Sequence, residues 1–224
     1  TCSASASDPD GGSVTLTYLW ENISTGMIIG NRTGLTLSPY LNFPNEVISC
    51  TITATDSMGG TASSSATVTT ENSDPVVSSV SITPGAPTTS DTVTCSASIS
   101  DPDTEAPTVT TSWIRVSDGS QLGTGSSLSL TPASISPMED LQCTISATDG
   151  YGATTTASTT VTIANTAPVV SSVSISPAGP SLGDSVTCSA SSSDADGDSL
   201  TDSIEWSSNG TVLGSGATYT VSGA

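Results

Sequence analysis

The chain has no histidine and no lysine, and its two arginines stand against 21 aspartates and glutamates, a formal charge of −19 over 224 residues. Without lysine there is no Schiff-base amine and no ammonium to grip a phosphate. Without histidine there is no imidazole base and no imidazole ligand for zinc. A basic patch is missing, which excludes nucleic acid, whose affinity rests on Lys/Arg neutralising phosphates. An anionic membrane surface repels such a chain. No apolar run approaches the roughly 18 residues of a membrane span, so no membrane insertion is expected in this segment. Aromatics are scarce: three Trp, four Tyr and one Phe. No nucleophile motif stands out. The paired Asp101 and Asp103 lie in one turn, whereas glycosidase carboxylates face each other across a sugar about 5–9.5 Å apart. The chain is therefore read as no enzyme.

What is abundant is hydroxyl: 45 Ser and 38 Thr. Val, Ile and Leu alternate with them in "TVTCSASIS", "CTISATD" and "TTVTIAN". A period of two with β-branched residues predicts half-buried strands, and no stretch holds a helical period. The fold class is all-β. "TCSASASDPD" returns as "TCSASISDPD" and "TCSASSSDAD", which puts Cys2, Cys95 and Cys188 at successive offsets of 93. The same offset relates Trp20, Trp113 and Trp206, Cys50 and Cys143, Asp56 and Asp149, and Asn72 and Asn165. The chain is a tandem array: residues 1–72 form a first repeat without its first strand, 73–165 a complete second, and 166–224 a third without its last two strands.

Within the complete repeat the pattern predicts strands over Val76–Thr83, Asp91–Ser98, around Trp113, at Gln121, and over Ser127–Thr131, Leu141–Thr148 and Thr155–Ala164. Asn209-Gly210 is a two-residue hairpin signal. About seven short strands per repeat suggest a two-sheet sandwich.

Cys-x17-Trp-x29-Cys resembles the immunoglobulin pin. The "SDPD" turn, the "SATDGYGA" strand end and the "NTAP" linker are similar to PKD and bacterial Ig-like repeats of secreted proteins. Two features depart from those families. Ile48 and Leu141 occupy the tyrosine-corner position, and "WDFGDG" is absent. The resemblance implies a tandem array of immunoglobulin-like, PKD-like β-sandwiches, with Trp20, Trp113 and Trp206 as core residues packed on the bridge between the sheets. Cys2–Cys50 and Cys95–Cys143 share a spacing of 48 and flank a Trp, and are expected as one disulfide per repeat; the alternative is four buried thiols. Paired disulfides imply export to an oxidising compartment, extracellular or at the cell surface.

Asp8 and Asp10, Asp101 and Asp103, and Asp194, Asp196 and Asp198 recur after the first cysteine strand. In an antiparallel sandwich that loop shares an end with Asp56 or Asp149 and with the linker asparagines Asn72 and Asn165. In some PKD-like members this corner holds calcium, and the resemblance implies a structural Ca²⁺ here, a cation that prefers six to eight hard oxygens. The alternative is that these aspartates only form turns. Asn22-Ile-Ser24, Asn31-Arg-Thr33 and Asn209-Gly-Thr211 match the N-glycosylation sequon, as chance allows in so Ser/Thr-rich a chain.

Near-identical repeats joined by Asn/Pro linkers suit a rod. The first reading is a non-catalytic structural segment of a large extracellular protein, the stalk of a bacterial surface adhesin or the body of an extracellular filament. Its partners are then neighbouring repeats of the same chain, other copies in a fibre, or a surface glycan or protein. The alternative is a carbohydrate- or protein-binding accessory module of a secreted enzyme. Rows of exposed aromatics would favour it, but Tyr18, Tyr40, Tyr151 and Tyr219 do not recur at the 93 offset.

Overall fold

The computed structural model describes residues 1–222, and sixteen strands with no helix are assigned among them. Among the described residues no helix is long and apolar enough to cross a membrane. The first repeat holds β1 (Val14–Asn22), β2 (Met27–Gly30), β3 (Val47–Asp56) and β4 (Thr61–Thr69). The second holds β5 (Val76–Thr83), β6 (Thr92–Ser100), β7 (Thr108–Arg115), β8 (Gln121–Thr124), β9 (Ser127–Ser129), β10 (Asp140–Thr148) and β11 (Thr154–Thr162). The third holds β12 (Val169–Ser176), β13 (Ser185–Ser193), β14 (Glu205–Ser208), β15 (Thr211–Ser215) and β16 (Thr218–Thr220).

Seven strands in the second repeat form two sheets, in the orders β5-β6-β9 and β11-β10-β7-β8. Cys95 on β6 is bonded to Cys143 on β10, joining the sheets with Cα atoms 6.4 Å apart. The two-residue alternation sets the burial: β6 and β10 turn every second side chain inward, so that Val93, Cys95, Leu141, Cys143, Ile145 and Ala147 are buried. Trp113 on β7 is fully buried beside them, and its indole Nε1–H donates to the Gly125 carbonyl at 2.8 Å. This is a disulfide-pinned immunoglobulin-like sandwich, repeated in tandem.

The first repeat keeps the four-stranded sheet β2-β1-β3-β4, with the β1–β3 ladder running from Val14↔Asp56 to Asn22↔Ile48. Its core is Trp20, Ile48, Cys50 and Ile52. Cys2 is bonded to Cys50, again over 48 residues. The expected strand around Cys2 is reduced to one contact: Cys2 N–H donates to Thr33 O at 2.8 Å, the counterpart of Cys95 N–H to Ser126 O at 2.8 Å. No strand is assigned before Val14.

In the third repeat, β12-β13-β16 form one sheet and β14-β15 a hairpin. The hairpin turns on Asn209 and Gly210, with φ of 49° and 81°, the left-handed pair that a type I′ turn needs and that Asn-Gly supplies at least cost. Trp206 departs from the core role expected of it. Its Nε1–H reaches the Gly216 carbonyl at 2.8 Å, as in the other repeats, but the ring is only half-buried and stacks on Tyr219, centroids 5.7 Å apart. The physical reason is the sheet: β14 pairs with β15 alone, whereas β1 and β7 have a cysteine strand on their other side.

By packing, the chain divides into two compact units that cut across the repeats. One comprises Thr1–Val80, Ala97–Thr110 and Ile145–Ala157; the other comprises Ser81–Ser96, Thr111–Thr144 and Ser158–Ala224. Each unit therefore contains one of the two linkers together with the loops that meet it.

Candidate site at the linkers

The recurring aspartates have three separable jobs. The first of each set shapes its own turn: Asp8, Asp101 and Asp194 accept the backbone N–H two residues on, from Asp10 at 3.0 Å, Asp103 at 2.8 Å and Asp196 at 2.8 Å. A side chain bonding its own backbone two residues ahead is the Asx turn, and it needs no ion.

The second aspartate reaches out of the turn to the linker. Asp103 Oδ2 accepts Ser73 N–H at 2.7 Å, and Asp196 makes the same bond to Thr166 N–H, 93 residues further on. Asp196 also accepts the Thr89 hydroxyl at 2.6 Å, and both side chains are buried. The Thr89 hydroxyl, and then the Thr166 N–H, hold the Asp196 carboxyl below the usual aspartate range, against the opposing effect of burial. Asp10 is an exposed turn residue.

The third aspartate organises the loop after the second cysteine strand. Asp56 Oδ1 accepts the N–H groups of Met58 and Gly60, both at 2.8 Å. Asp149 Oδ1 does the same for Tyr151 at 2.9 Å and Ala153 at 2.8 Å. Asp149 additionally accepts the Asn72 amide on Oδ2 at 2.7 Å, across 77 residues. The Asn72 amide is the main cause of its lowered pKa, followed among the lowering causes by the backbone N–H groups; burial opposes them.

The expected convergence of Asn72, Asp101, Asp103 and Asp149 is thus present but divided. Asp103 binds the linker backbone, while Asp101 and Asp149 are joined by Glu105, their carboxylate oxygens lying within 4.8 Å of one another. Glu105 was not singled out from the sequence because its position does not recur as one residue type: it is Gly12 in the first repeat and Asp198 in the third. Asp194, Asp196 and Asp198 form the corresponding cluster. In the first repeat a Cβ at Gly12 would run into Asp8 Oδ2, and no three-carboxylate cluster containing Asp8, Asp10 or Asp56 is found among the described residues. Asn165 turns its amide to the Thr166 carbonyl at 3.1 Å rather than to an aspartate.

Two buried oxygens at the Asp101–Glu105–Asp149 cluster have no hydrogen-bond partner, Asp101 Oδ2 and Asn72 Oδ1. A buried acceptor without a donor is costly. Unsatisfied hard oxygens beside three carboxylates are the donor set that a calcium ion takes, so the residues fit that ion. Around Tyr151, burial first and then the carboxylates of Glu105, Glu46, Asp103 and Asp149 raise the phenol pKa.

One sequon fails on geometry. Asn22 is fully buried, donating to Glu46 at 2.6 Å and accepting the N–H groups of Ser24 and Thr25. In the second repeat its place is taken by Arg115, beside Glu139, the counterpart of Glu46. The polar pair is a framework element that changes residue type between repeats, which hides it from a search at fixed offset.

No protein-family model matches the chain, and no curated protein matches it in sequence. Similar solved structures include three N-terminal domains of the highly immunogenic outer capsid protein of bacteriophage RB49, at 16% identity, covering 94% of this chain and 72% of that one, with a TM-score of 0.30. A tetra-tandem repeat in the extending region of a large adhesion protein is 16% identical over 92% of this chain and 58% of its own, with a TM-score of 0.32. Extracellular cadherin domains 3–6 of protocadherin gamma B2 are 14% identical over 92% of this chain and 57% of theirs, with a TM-score of 0.33. The chain spans less than two thirds of the last two. The assignment of fold rests on the strand order and the two disulfides.

Proposed function

We propose that the chain is a non-catalytic structural segment of a large extracellular protein, a stalk of the bacterial surface-adhesin kind or the body of a filament, whose neighbouring repeats are its main partners. The observation that carries this is the repeated linker bond, Asp103 to Ser73 and Asp196 to Thr166. The residues that recur most faithfully are spent on turns and on holding the chain where one repeat passes into the next. Two disulfides support export, since such bonds persist in oxidising compartments.

Calcium belongs to the same reading. Asp101, Glu105 and Asp149, with Asn72 Oδ1, are the residues that would hold it in the second repeat, and Asp194, Asp196 and Asp198 in the third. A bound ion would relieve the repulsion among the carboxylates and tie the linker more firmly to its loop.

The test is the stiffness of the linkers. Small-angle scattering and rotary-shadowed electron microscopy of the intact chain should give an extended particle with a narrow distribution of lengths. Asp103→Ala with Asp196→Ala should broaden that distribution while leaving both disulfides formed. A wild-type chain as flexible as the double variant would sink the stalk reading.

A further inference from the structure

The segment that follows the ninth-strand position has the same backbone in the first two repeats and inverted side chains. In the second repeat it reads Leu130-Thr-Pro-Ala-Ser-Ile135-Ser-Pro, and Ile135, 1% exposed, fills the core. In the first it reads Leu37-Ser-Pro-Tyr40-Leu41-Asn42-Phe43-Pro. The turn is unchanged: Leu41 and Asn42 N–H groups donate to the Ser38 carbonyl at 3.0 and 2.9 Å, as those of Ser134 and Ile135 do to Thr131 at 2.8 and 3.2 Å. Asparagine now stands where isoleucine packs, and its buried Nδ2 has no hydrogen-bond partner. The apolar side chains point to water instead, Tyr40 at 78%, Leu41 at 58% and Phe43 at 50% exposure. Their counterparts in the second repeat are Ala133, Ser134 and Ser136.

This arrangement costs stability twice, in an unpaired buried amide and in apolar surface left wet. A sequence that departs from its own repeat in this way marks a place kept for something other than folding. In a chain with eight aromatic residues, two sit four positions or fewer apart on one exposed turn. Phe43 lines an open groove of about 430 Å³ together with Pro39, Pro102, Asn42, Glu71 and Asp103, and Tyr40 stands on the same turn outside that lining.

We propose that this groove binds a neutral glycan. Exposed aromatic rings offer faces to the C–H surface of a sugar ring, and a few placed polar groups fix its orientation. Glu71 and Asp103 line the groove and present acceptors to sugar hydroxyls. The groove's lining contains carboxylates and no base, and the chain as a whole carries −19, which repels uronates, sulfated sugars and acidic peptides. A polyhydroxylated, uncharged ligand answers each of these features. This site goes beyond the stalk reading and stands without it.

The experiment is affinity electrophoresis of the intact chain through gels containing laminarin, hydroxyethylcellulose, xylan or galactomannan, with polygalacturonate as the anionic control. At least one neutral glycan should retard the wild type, and polygalacturonate should not. Tyr40→Ala with Phe43→Ala, both exposed and so compatible with folding, should weaken retardation about tenfold or more. Asn42→Ile, which restores the residue of the second repeat and removes the unpaired buried amide, should raise the melting temperature. Retardation by no neutral glycan, equal retardation of the wild type and the aromatic double variant, or binding seen only against a displayed peptide library would each overturn the proposal.

Discussion

Replacing Cys95 and Cys143 together by alanine should be the most damaging small change available to the second repeat. The bridge closes 48 residues of chain between the two sheets. On the chain-entropy account, a loop of that length is worth about 4 kcal/mol, by restricting the unfolded state. That is a large part of the 5–15 kcal/mol that typically separates folded from unfolded domains. The repeat has little to compensate, because its core is one Trp and a set of Val, Leu, Ile and Ala side chains without Phe or Tyr. Hydrogen exchange read by mass spectrometry resolves the repeats, since peptides over β7 and β10 report the second and peptides over β1 and β3 the first. Where exchange proceeds through unfolding of the repeat, a loss of about 4 kcal/mol makes the second-repeat amides exchange about a thousandfold faster. The Cys2–Cys50 repeat serves as the internal control. Less than a tenfold change over β7 and β10, or an equal change over β1 and β3, would refute the argument that the bridge carries this repeat.

Three further outcomes can be checked on the same material. Native trypsin should cut after the exposed Arg32 and spare Arg115, which pairs with Asp118 at 3.2 Å and donates to the Ser134 carbonyl; the two products should stay joined through Cys2–Cys50 until reduced, and a first cut after Arg115 would contradict the structure. Millimolar calcium should raise the melting temperature, and Glu105→Gln with Asp149→Asn should remove that rise; a wild type indifferent to calcium rejects the ion. The Glu139 carboxylate accepts Ser136 N–H at 2.8 Å and the Ser117 hydroxyl at 2.9 Å, and with Arg115 beside it these bonds lower its pKa, the Ser136 N–H most. A folded pKa below the unfolded value of about 4.3 means stability held in full above that pH and lost as pH falls through the folded value. Melting should therefore be flat above about pH 5 and drop below about pH 4, less steeply in Glu139→Gln; identical profiles for the two proteins would dismiss that contribution.

The features legible in the sequence were local or covalent. The offset of 93, the alternation in β6 and β10, the paired cysteines and the Asn209-Gly210 turn each act within a few residues or through a bond whose partners share one spacing. The linker chemistry was legible as a neighbourhood and not as a set of bonds. Asn72 meets Asp149 over 77 residues, and Thr89 meets Asp196 over 107, so their pairing is decided by tertiary packing. Glu105 escaped because its repeat counterparts are glycine and aspartate. Asn22 matches the sequon and is a buried framework amide, since the sequon has no term for burial. Asn42 and Phe43 carried no signal until Ile135 showed what that turn does when it is only structural.

β4 is an outer strand of its sheet, and all nine of its residues, Thr61 to Thr69, are exposed. It carries no charge, no proline and no bulge, the usual guards against ladder formation with a stranger. Protection then falls to the acidic groups elsewhere on the surface. At physiological ionic strength their reach is about 8 Å, less than two strand spacings of about 4.8 Å. Brine shortens it further. As salinity climbs, charge repulsion therefore guards this uncharged edge over an ever shorter distance.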